Sequence, residues 1–120
     1  MDLAVKLQIK AGARLAVVAL PDDVALDLPD TIARVDDPAA ADAVVVFVRD
    51  AAGVDAVAGP AVAAATDDRL AWVCYPKAGK LGTDLNRDSL AALMIARGTR
   101  PVRQVSVDDV WSALRFRPGA

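Results

Sequence analysis

Four polar side chains in one loop could together bind a small anion. The apolar run 70–75 is followed by a basic, glycine-punctuated segment, 76–89, and the candidates within it are Lys77, Lys80, Asn86 and Arg87. The three cations would attract a phosphate or a carboxylate, and the N–H groups of a helix beginning after Asn86 would add partial positive charge. Because open α/β sheets usually bind ligands where a buried strand leads into a helix, the segment predicts an anion site.

The spacing in this loop does not fit a nucleotide-binding Walker loop. That motif needs a glycine, four residues and then Gly-Lys-Ser/Thr, whereas Gly79-Lys80 is followed by Leu81 and lacks the earlier glycine. The alternative interpretation is a solvated loop in which Asn86 or Asp88 caps the next helix. Both interpretations place a helix start at the same point.

The chain contains no histidine and no glutamate, so all sixteen acidic residues are Asp. Ser-His and Cys-His catalytic pairs are therefore excluded, as are the usual zinc ligand sets. Acid–base chemistry would depend on Asp, Lys, water or the single tyrosine, Tyr75. These absences favour a protein that is not an enzyme, and we predict no catalytic residue, no metal ligand and no cofactor.

Four Asp-Asp pairs could hold magnesium or share a proton. Each lies at a predicted turn, where Asp favours hydrogen bonds to the local backbone, and we interpret all four as turn residues. Asp22 and Asp36 keep a second interpretation, because they would end the first two strands, at the edge where ligands bind. The pairs are Asp22-Asp23, Asp36-Asp37, Asp67-Asp68 and Asp108-Asp109.

The remaining reactive or aromatic side chains lie mostly in apolar runs. Cys74 has no partner for a disulfide and is predicted to be a buried, inert thiol. Trp72, Tyr75 and Trp111 are predicted to belong to the core, with a pocket or interface lining as the alternative. Four arginines near the C-terminus are interpreted as protection of a sheet edge against aggregation, in preference to an anion patch. They are Arg100, Arg103, Arg115 and Arg117.

The net charge of −2 conceals a division of charge along the chain. Residues 1–69 contain twelve Asp against six Lys or Arg, whereas residues 70–120 contain eight Lys or Arg against four Asp. This asymmetry could steer an anion to the C-terminal half or attract the opposite halves of neighbouring copies, and the alternative is a solvated surface. The acidic balance and the few aromatic residues argue against nucleic acid as a partner.

Length and hydropathy predict one domain over residues 1–120. No apolar stretch approaches the ~18 residues of a membrane span, so no membrane partner is expected. The N-terminus lacks a basic start, an apolar core and a cleavage site, which predicts a cytoplasmic location.

Hydrophobic periodicity predicts alternating strands and helices. The continuous apolar run 43–48 is typical of a strand covered on both faces by helices. Two apolar runs separated only by Asp108-Asp109 predict an antiparallel hairpin. The predicted helices are a short one within 2–8, a helical turn at 21–26, and helices over 54–65 and 90–97; the predicted strands are 14–20, 31–36, 43–48, 70–75, 101–107 and 110–116.

The segment Lys6-Leu7-Gln8-Ile9-Lys10-Ala11-Gly12-Ala13-Arg14-Leu15-Ala16-Val17-Val18 resembles the entry to the first strand of class I S-adenosylmethionine methyltransferases. In that family the sheet also ends in an antiparallel hairpin. The resemblance implies a spatial strand order of 2-1-3-4-6-5, with Asp36 in the place of the acidic residue that holds the ribose. The segment 19–23 has no glycine where the family has a glycine-rich turn for the cofactor.

A second resemblance covers most of the chain. Segments 72–77, 84–88 and 101–118 are similar to a family of short bacterial proteins of unknown function. This resemblance implies no activity and no site residues.

Together these observations predict a single three-layer α/β domain with a mostly parallel sheet of about six strands, a C-terminal antiparallel hairpin and a Rossmann-like, methyltransferase-like topology. The first functional hypothesis is a non-catalytic interaction or regulatory module that acts as a homodimer or with a protein partner. The alternative is binding of a small phosphate or carboxylate ligand by the loop 76–89. Methyl transfer is the third.

Overall fold

The computed structural model describes residues 2–119, which form one six-stranded sheet with flanking helices. The helices are α1 (Leu3–Lys6), α2 (Ala51–Val57), α3 (Gly59–Thr66) and α4 (Arg87–Ile95). The strands are β1 (Arg14–Val18), β2 (Ala33–Arg34), β3 (Ala43–Phe47), β4 (Leu70–Pro76), β5 (Thr99–Ser106) and β6 (Trp111–Pro118). No helix in this part of the chain is long and apolar enough to cross a bilayer.

The sheet is mostly parallel and ends in an antiparallel pair. The strand order is β2-β1-β3-β4-β6-β5. β1, β2, β3 and β4 pair in parallel with one another, whereas β6 is antiparallel to both β4 and β5. The predicted α/β class, the antiparallel hairpin and the strand order are confirmed.

The two central strands, β3 and β4, are almost completely buried because both sheet faces are covered. On one face, Val44, Val46 and Val73 pack beneath α2, α3 and α4. On the other face, Val45 and Trp72 pack beneath α1 and apolar residues of the segment 20–32. Continuous apolarity in β3 therefore predicted its two-sided burial correctly.

The segment between β1 and β2 differs from its prediction. Residues 21–26 contain a turn, in which the Val24 N–H donates to Pro21 O at 3.1 Å, but no helix. Val24, Leu26 and Leu28 all contact the same core cluster, and this spacing of two is that of an extended chain. The predicted strand 31–36 also pairs only over Ala33–Arg34, so β2 is a very short edge strand.

The predicted helix 54–65 is two helices. α2 begins three residues earlier than expected, at Ala51, because Asp50 Oδ1 accepts a hydrogen bond from the Gly53 N–H at 2.8 Å. Pro60 lies in the first turn of α3, where its missing N–H costs no hydrogen bond. The Gly-Pro sequence therefore starts a new helix instead of bending one long helix.

Candidate anion-binding site at the end of β4

A cavity of about 320 Å³ opens at the carboxyl end of β4. Three of the four predicted anion ligands, Lys77, Asn86 and Arg87, line this cavity, whereas Lys80 does not. The other residues that line it are Tyr75, Ala78, Gln104 and Ser112. The predicted segment therefore forms one wall of a real concavity, and the antiparallel pair β5–β6 supplies the opposite wall.

Strand pairing brings these walls together. Tyr75 on β4 lies directly opposite Ser112 on β6, and Gln104 on β5 lies opposite Leu114 on β6. Gln104 and Ser112 lie fifteen and twenty-three residues beyond the end of the loop at Ser89, so spacing within the loop gave no sign of them. The hairpin signal at Asp108-Asp109 was the observation from which they could have been found.

The N-cap of α4 is neutral, and the first turn of the helix contains one acidic residue, Asp88. Asn86 Oδ1 accepts from the Ser89 N–H at 2.9 Å, and Ser89 Oγ accepts from the Asn86 N–H at 2.9 Å, which is a capping box. Of the two caps considered from the sequence, Asn86 is therefore the one used. Its neutral amide adds no negative charge at the cap position, and the carboxylate of Asp88 in the first turn is 93% exposed to solvent.

Lys77 is fixed at the cavity by two hydrogen bonds. Its N–H donates to Val110 O at 2.7 Å, and its Nζ donates to Ser106 Oγ at 2.9 Å. Ser106 is a neutral partner, so this contact leaves the ammonium charge uncompensated.

Arg87 has one ionic partner, and that partner lies in solvent. Its Nη1 is 3.3 Å from Asp88 Oδ1, and the Asp88 side chain is 93% exposed. Ion pairs this exposed contribute little free energy. Because Lys77 and Arg87 line the cavity and no carboxylate of residues 2–119 does, its lining is positively charged.

Tyr75 is both a core residue and a lining residue of the cavity. Only 2% of it is exposed, and its hydroxyl oxygen accepts a hydrogen bond from Gln104 Nε2 at 3.0 Å. Burial raises the pKa of the phenol above its ordinary value, while the nearby Arg87 acts in the opposite direction. The hydroxyl therefore stays protonated at neutral pH and can donate a hydrogen bond to an oxyanion.

Lys80 lies in a turn of 3-10 helix, Lys80–Gly82, outside the cavity lining. Positive φ angles at Gly79 (80°), Leu81 (53°) and Gly82 (64°) reverse the chain here. The turn leaves Lys80 and Leu81 exposed. Sequence spacing alone does not show that the chain reverses here and takes Lys80 away from Lys77, Asn86 and Arg87.

A second crevice, of about 350 Å³, lies at the carboxyl ends of β1 and β3 and was not predicted. Phe47 and Trp111 line it as an edge-to-face pair with ring centroids 5.2 Å apart, together with Ala19 and Arg49. Asp22 and Asp36, the two suspected acids, are not among its lining residues.

The helix start at this second crevice is already satisfied by carboxylates. Asp50 Oδ1 accepts from the Gly53 N–H at 2.8 Å, and Asp84 Oδ1 accepts from the Ala51 N–H at 2.9 Å. Two negative charges therefore occupy the positive end of α2, which disfavours an anion there.

Three of the four Asp-Asp pairs make the local contacts expected of turn residues. Asp108 Oδ1 accepts from the N–H groups of Val110 and Trp111, and Asp37 Oδ1 accepts from the Ala39 N–H. Asp67 forms an ion pair with Arg69. Within residues 2–119, no three metal-ligating side chains come together as a site.

Cys74 lies on β4 next to Tyr75 but faces the opposite side of the sheet. It is fully buried, and burial strongly raises the pKa of its thiol. A thiolate is the reactive form of cysteine, so this environment supports the prediction of an inert residue.

Comparison with protein-family models, curated proteins and solved structures finds no match to this chain. The class that the structure defines is a mixed α/β domain with a positively charged cavity at one strand end.

Proposed function

We propose that this protein binds a small oxyanion, a phosphate or a carboxylate, in the cavity at the end of β4. The observation that carries the proposal is the convergence of Lys77, Arg87 and a neutrally capped helix on a cavity without a lining carboxylate. Arg87 can present a planar pair of donors to two oxygens, whereas Lys77 offers a point charge. Gln104 and Ser112 add neutral hydrogen-bonding groups.

The volume of about 320 Å³ limits the ligand to a small molecule. A ligand of this size would place its anionic group between Lys77 and Arg87. The rest of the molecule would lie against Tyr75 and Ala78, which line the same cavity.

Binding without chemistry is the role that these residues support. Tyr75 stays protonated, because burial raises the pKa of its phenol. Neither histidine nor a lining carboxylate is present to act as a general base. The protein would therefore act as a non-catalytic, regulatory binding module.

A thermal shift measurement tests the proposal. We expect the Tm of the wild-type protein to rise with the concentration of inorganic phosphate or a small dicarboxylate at constant ionic strength. Lys77→Gln should remove the shift. Lys80→Gln is the matched control, because it removes one lysine charge from the same loop but outside the cavity, and it should keep the shift. The absence of any shift in the wild-type protein, or its equal loss in both variants, would overturn the proposal.

A second candidate function, self-association, is favoured by the distribution of charge across the sheet. Residues 1–69, with twelve Asp and six Lys or Arg, form β1, β2 and β3 at one side; residues 70–120, with the opposite excess, form β4, β5 and β6. The acidic edge of one copy could attract the basic edge of another. Another protein with an acidic surface would be attracted by the same edge.

Sedimentation velocity distinguishes this function from anion binding. If charge drives association, the sedimentation coefficient of the wild-type protein should increase at 20 mM salt and fall back to the monomer value at 500 mM salt, because salt screens exposed charges. A monomer at both concentrations would contradict this hypothesis and leave the anion proposal intact.

We infer a Rossmann-like, methyltransferase-like topology from the strand order. We also infer membership of the family of short bacterial proteins of unknown function from the segments that resemble it. Methyl transfer is not part of this proposal. Where a cofactor-binding glycine turn would lie, Ala19 holds a left-handed φ of 59°, and the segment 19–23 contains no glycine. We expect calorimetry with S-adenosylmethionine to give no heat of binding, and measurable saturable heat would contradict that expectation.

A further inference from the structure

Four arginines lie together on one face of the antiparallel pair. Arg100 on β5 is directly opposite Arg117 on β6, and Arg103 is opposite Arg115. Residues alternate along β6, so Arg115 and Arg117 share the face of Trp111 and Ala113, which is the face covered by α1. We call these four residues, Arg100, Arg103, Arg115 and Arg117, the arginine face.

Protection of the sheet edge explains only half of this arrangement. β5 is an edge strand, but β6 lies between β4 and β5 and has no free edge to protect. β5 also contains Pro101, which lacks an N–H, and a bulge between Pro101 and Arg103, both of which already hinder edge pairing. The interpretation made from the sequence therefore does not account for Arg115 and Arg117.

The arginine face carries an excess of positive charge that lowers stability. Like charges directly opposite each other on neighbouring strands repel, and the face contains two such pairs. One carboxylate offsets them: Asp68 Oδ1 and Oδ2 accept from Arg117 Nε and Nη2, each at 3.1 Å. Within residues 2–119, four guanidinium groups against this one carboxylate leave a local excess of three positive charges.

One donor of Arg115 is buried beneath the arginine face, out of reach of solvent. Its Nη1 donates to Gln8 Oε1 at 2.7 Å, whereas its Nε is buried and has no acceptor among residues 2–119. Burial and the neighbouring arginines lower the pKa of this guanidinium. A buried charged donor without a partner is costly and calls for an explanation.

The side chains that accept hydrogen bonds from Arg115 and Arg117 each follow the end of a helix. Gln8 and Asp68 are non-glycine residues with positive φ, 60° and 58°. Both conformations are those of a common helix ending, in which the Ile9 N–H donates to Ala4 O at 2.9 Å after α1 and the Arg69 N–H donates to Ala64 O at 2.8 Å after α3. Helix termination therefore explains the backbone of Gln8 and Asp68. The face combines like-charge repulsion with an unpaired donor.

We propose that the arginine face binds a compact polyphosphate, a ligand with two or three linked phosphoryl groups. Opposite residues on antiparallel strands are about 5 Å apart, and successive residues on one face are about 7 Å apart, so the four arginines form a two-by-two array. Guanidinium groups bind phosphate oxygens in pairs, and a single phosphate spans one pair of arginines. Linked phosphoryl groups reach both pairs.

A nucleic acid fits this face less well than a small polyphosphate. All five aromatic residues of the chain are buried, so no ring is available for base stacking. The twelve Asp of residues 1–69 would also repel a long polyanion that extends beyond the face. A compact ligand meets only the local positive charge.

Calorimetric titration with pyrophosphate at constant ionic strength tests this proposal. We expect wild-type protein to bind pyrophosphate at least about tenfold more tightly than orthophosphate. Arg103→Gln should weaken pyrophosphate binding by about tenfold and leave the unfolding midpoint unchanged or higher, because it also removes repulsion of Arg115. A loss of affinity together with retained stability separates a ligand contact from a structural role.

Two further variants make the result specific. Arg34→Gln removes an exposed arginine from β2, at the opposite edge, and should leave pyrophosphate affinity unchanged within about twofold. Lys77→Gln should also leave pyrophosphate affinity unchanged. This result would distinguish binding at the arginine face from binding in the cavity at the end of β4. Equal affinity for pyrophosphate and sulfate, or an equal effect of Arg103→Gln and Arg34→Gln, would overturn the proposal.

Discussion

The cavity at the end of β4 and the crevice at the ends of β1 and β3 lie at the same edge of one sheet, and each is next to a helix start. They differ in how that helix is capped. At α4 the cap is Asn86 with Ser89, both neutral, whereas at α2 the N–H groups bind the carboxylates of Asp50 and Asp84. Architecture alone therefore does not define an anion site, because the charge of the cap decides whether the helix dipole is available to a ligand.

The largest expected effect is on anion affinity in the variant Asn86→Asp. Asp caps a helix about as well as Asn, so the free energy of unfolding should change by less than about 0.5 kcal/mol. The new carboxylate would resemble the capping of α2 and compete with the ligand for Lys77 and Arg87. We expect calorimetry with inorganic phosphate to show at least about a tenfold loss of affinity, about 1.4 kcal/mol. Unchanged affinity in a stable variant would show that the cap charge is irrelevant.

The converse change, Asp50→Ala, should affect stability but not binding. It removes the side-chain cap of α2 and should lower the free energy of unfolding by about 1 kcal/mol in urea denaturation. Affinity for phosphate at the β4 cavity should stay constant. Asp50→Asn is the control, since it keeps the cap without the charge and should cost only a few tenths of a kcal/mol. Equal losses in the two variants would contradict the capping account.

A smaller effect is expected from Tyr75→Phe within the cavity. The change removes the acceptor of the Gln104 Nε2 hydrogen bond and should lower the free energy of unfolding by about 0.5–1 kcal/mol. A double-mutant cycle with Gln104→Ala measures the contribution of the pair itself. If Tyr75→Phe costs as much in the Gln104→Ala background, the hydrogen bond is not the cause.

The smallest expected effect is a dependence on pH of the difference in stability between the wild-type protein and Tyr75→Phe. Because burial raises the folded-state pKa of Tyr75, its favourable contribution is complete below the unfolded value of about 10. It should be lost as pH rises from there through the higher folded value. The stability difference between wild type and Tyr75→Phe should therefore shrink by a few tenths of a kcal/mol or more between pH 9 and pH 11. A difference that grows with pH would contradict the direction of this shift.

The elements and their order could be predicted because hydrophobic periodicity reports which faces are buried. The run 43–48 indicated a strand buried on both faces, and Asp108-Asp109 indicated a hairpin. The segment between β1 and β2 was predicted incorrectly because Val24 and Leu26 were assigned to a helical turn. The burial of Val24, Leu26 and Leu28 has the period of an extended chain.

The candidate site could be predicted only in part, because a cavity depends on pairing between distant segments. Lys77, Asn86 and Arg87 were found from a local pattern of charge next to a helix start. Gln104 and Ser112 were missed, because polar residues on a hairpin give no sign of the register that brings them to Tyr75. Lys80 was included because left-handed turns at non-glycine residues such as Leu81 are not evident from composition.

The position of β6 inside the sheet has a consequence for the order in which the chain folds during synthesis. β4 leaves the ribosome before β6, so the strand that carries the fully buried Trp72 and Val73 has one unpaired edge until about forty further residues have been made. An apolar edge of this kind is a target for intermolecular pairing. Release of a chain truncated after α4, which lacks β6, should therefore lead to more aggregation than release of the full chain.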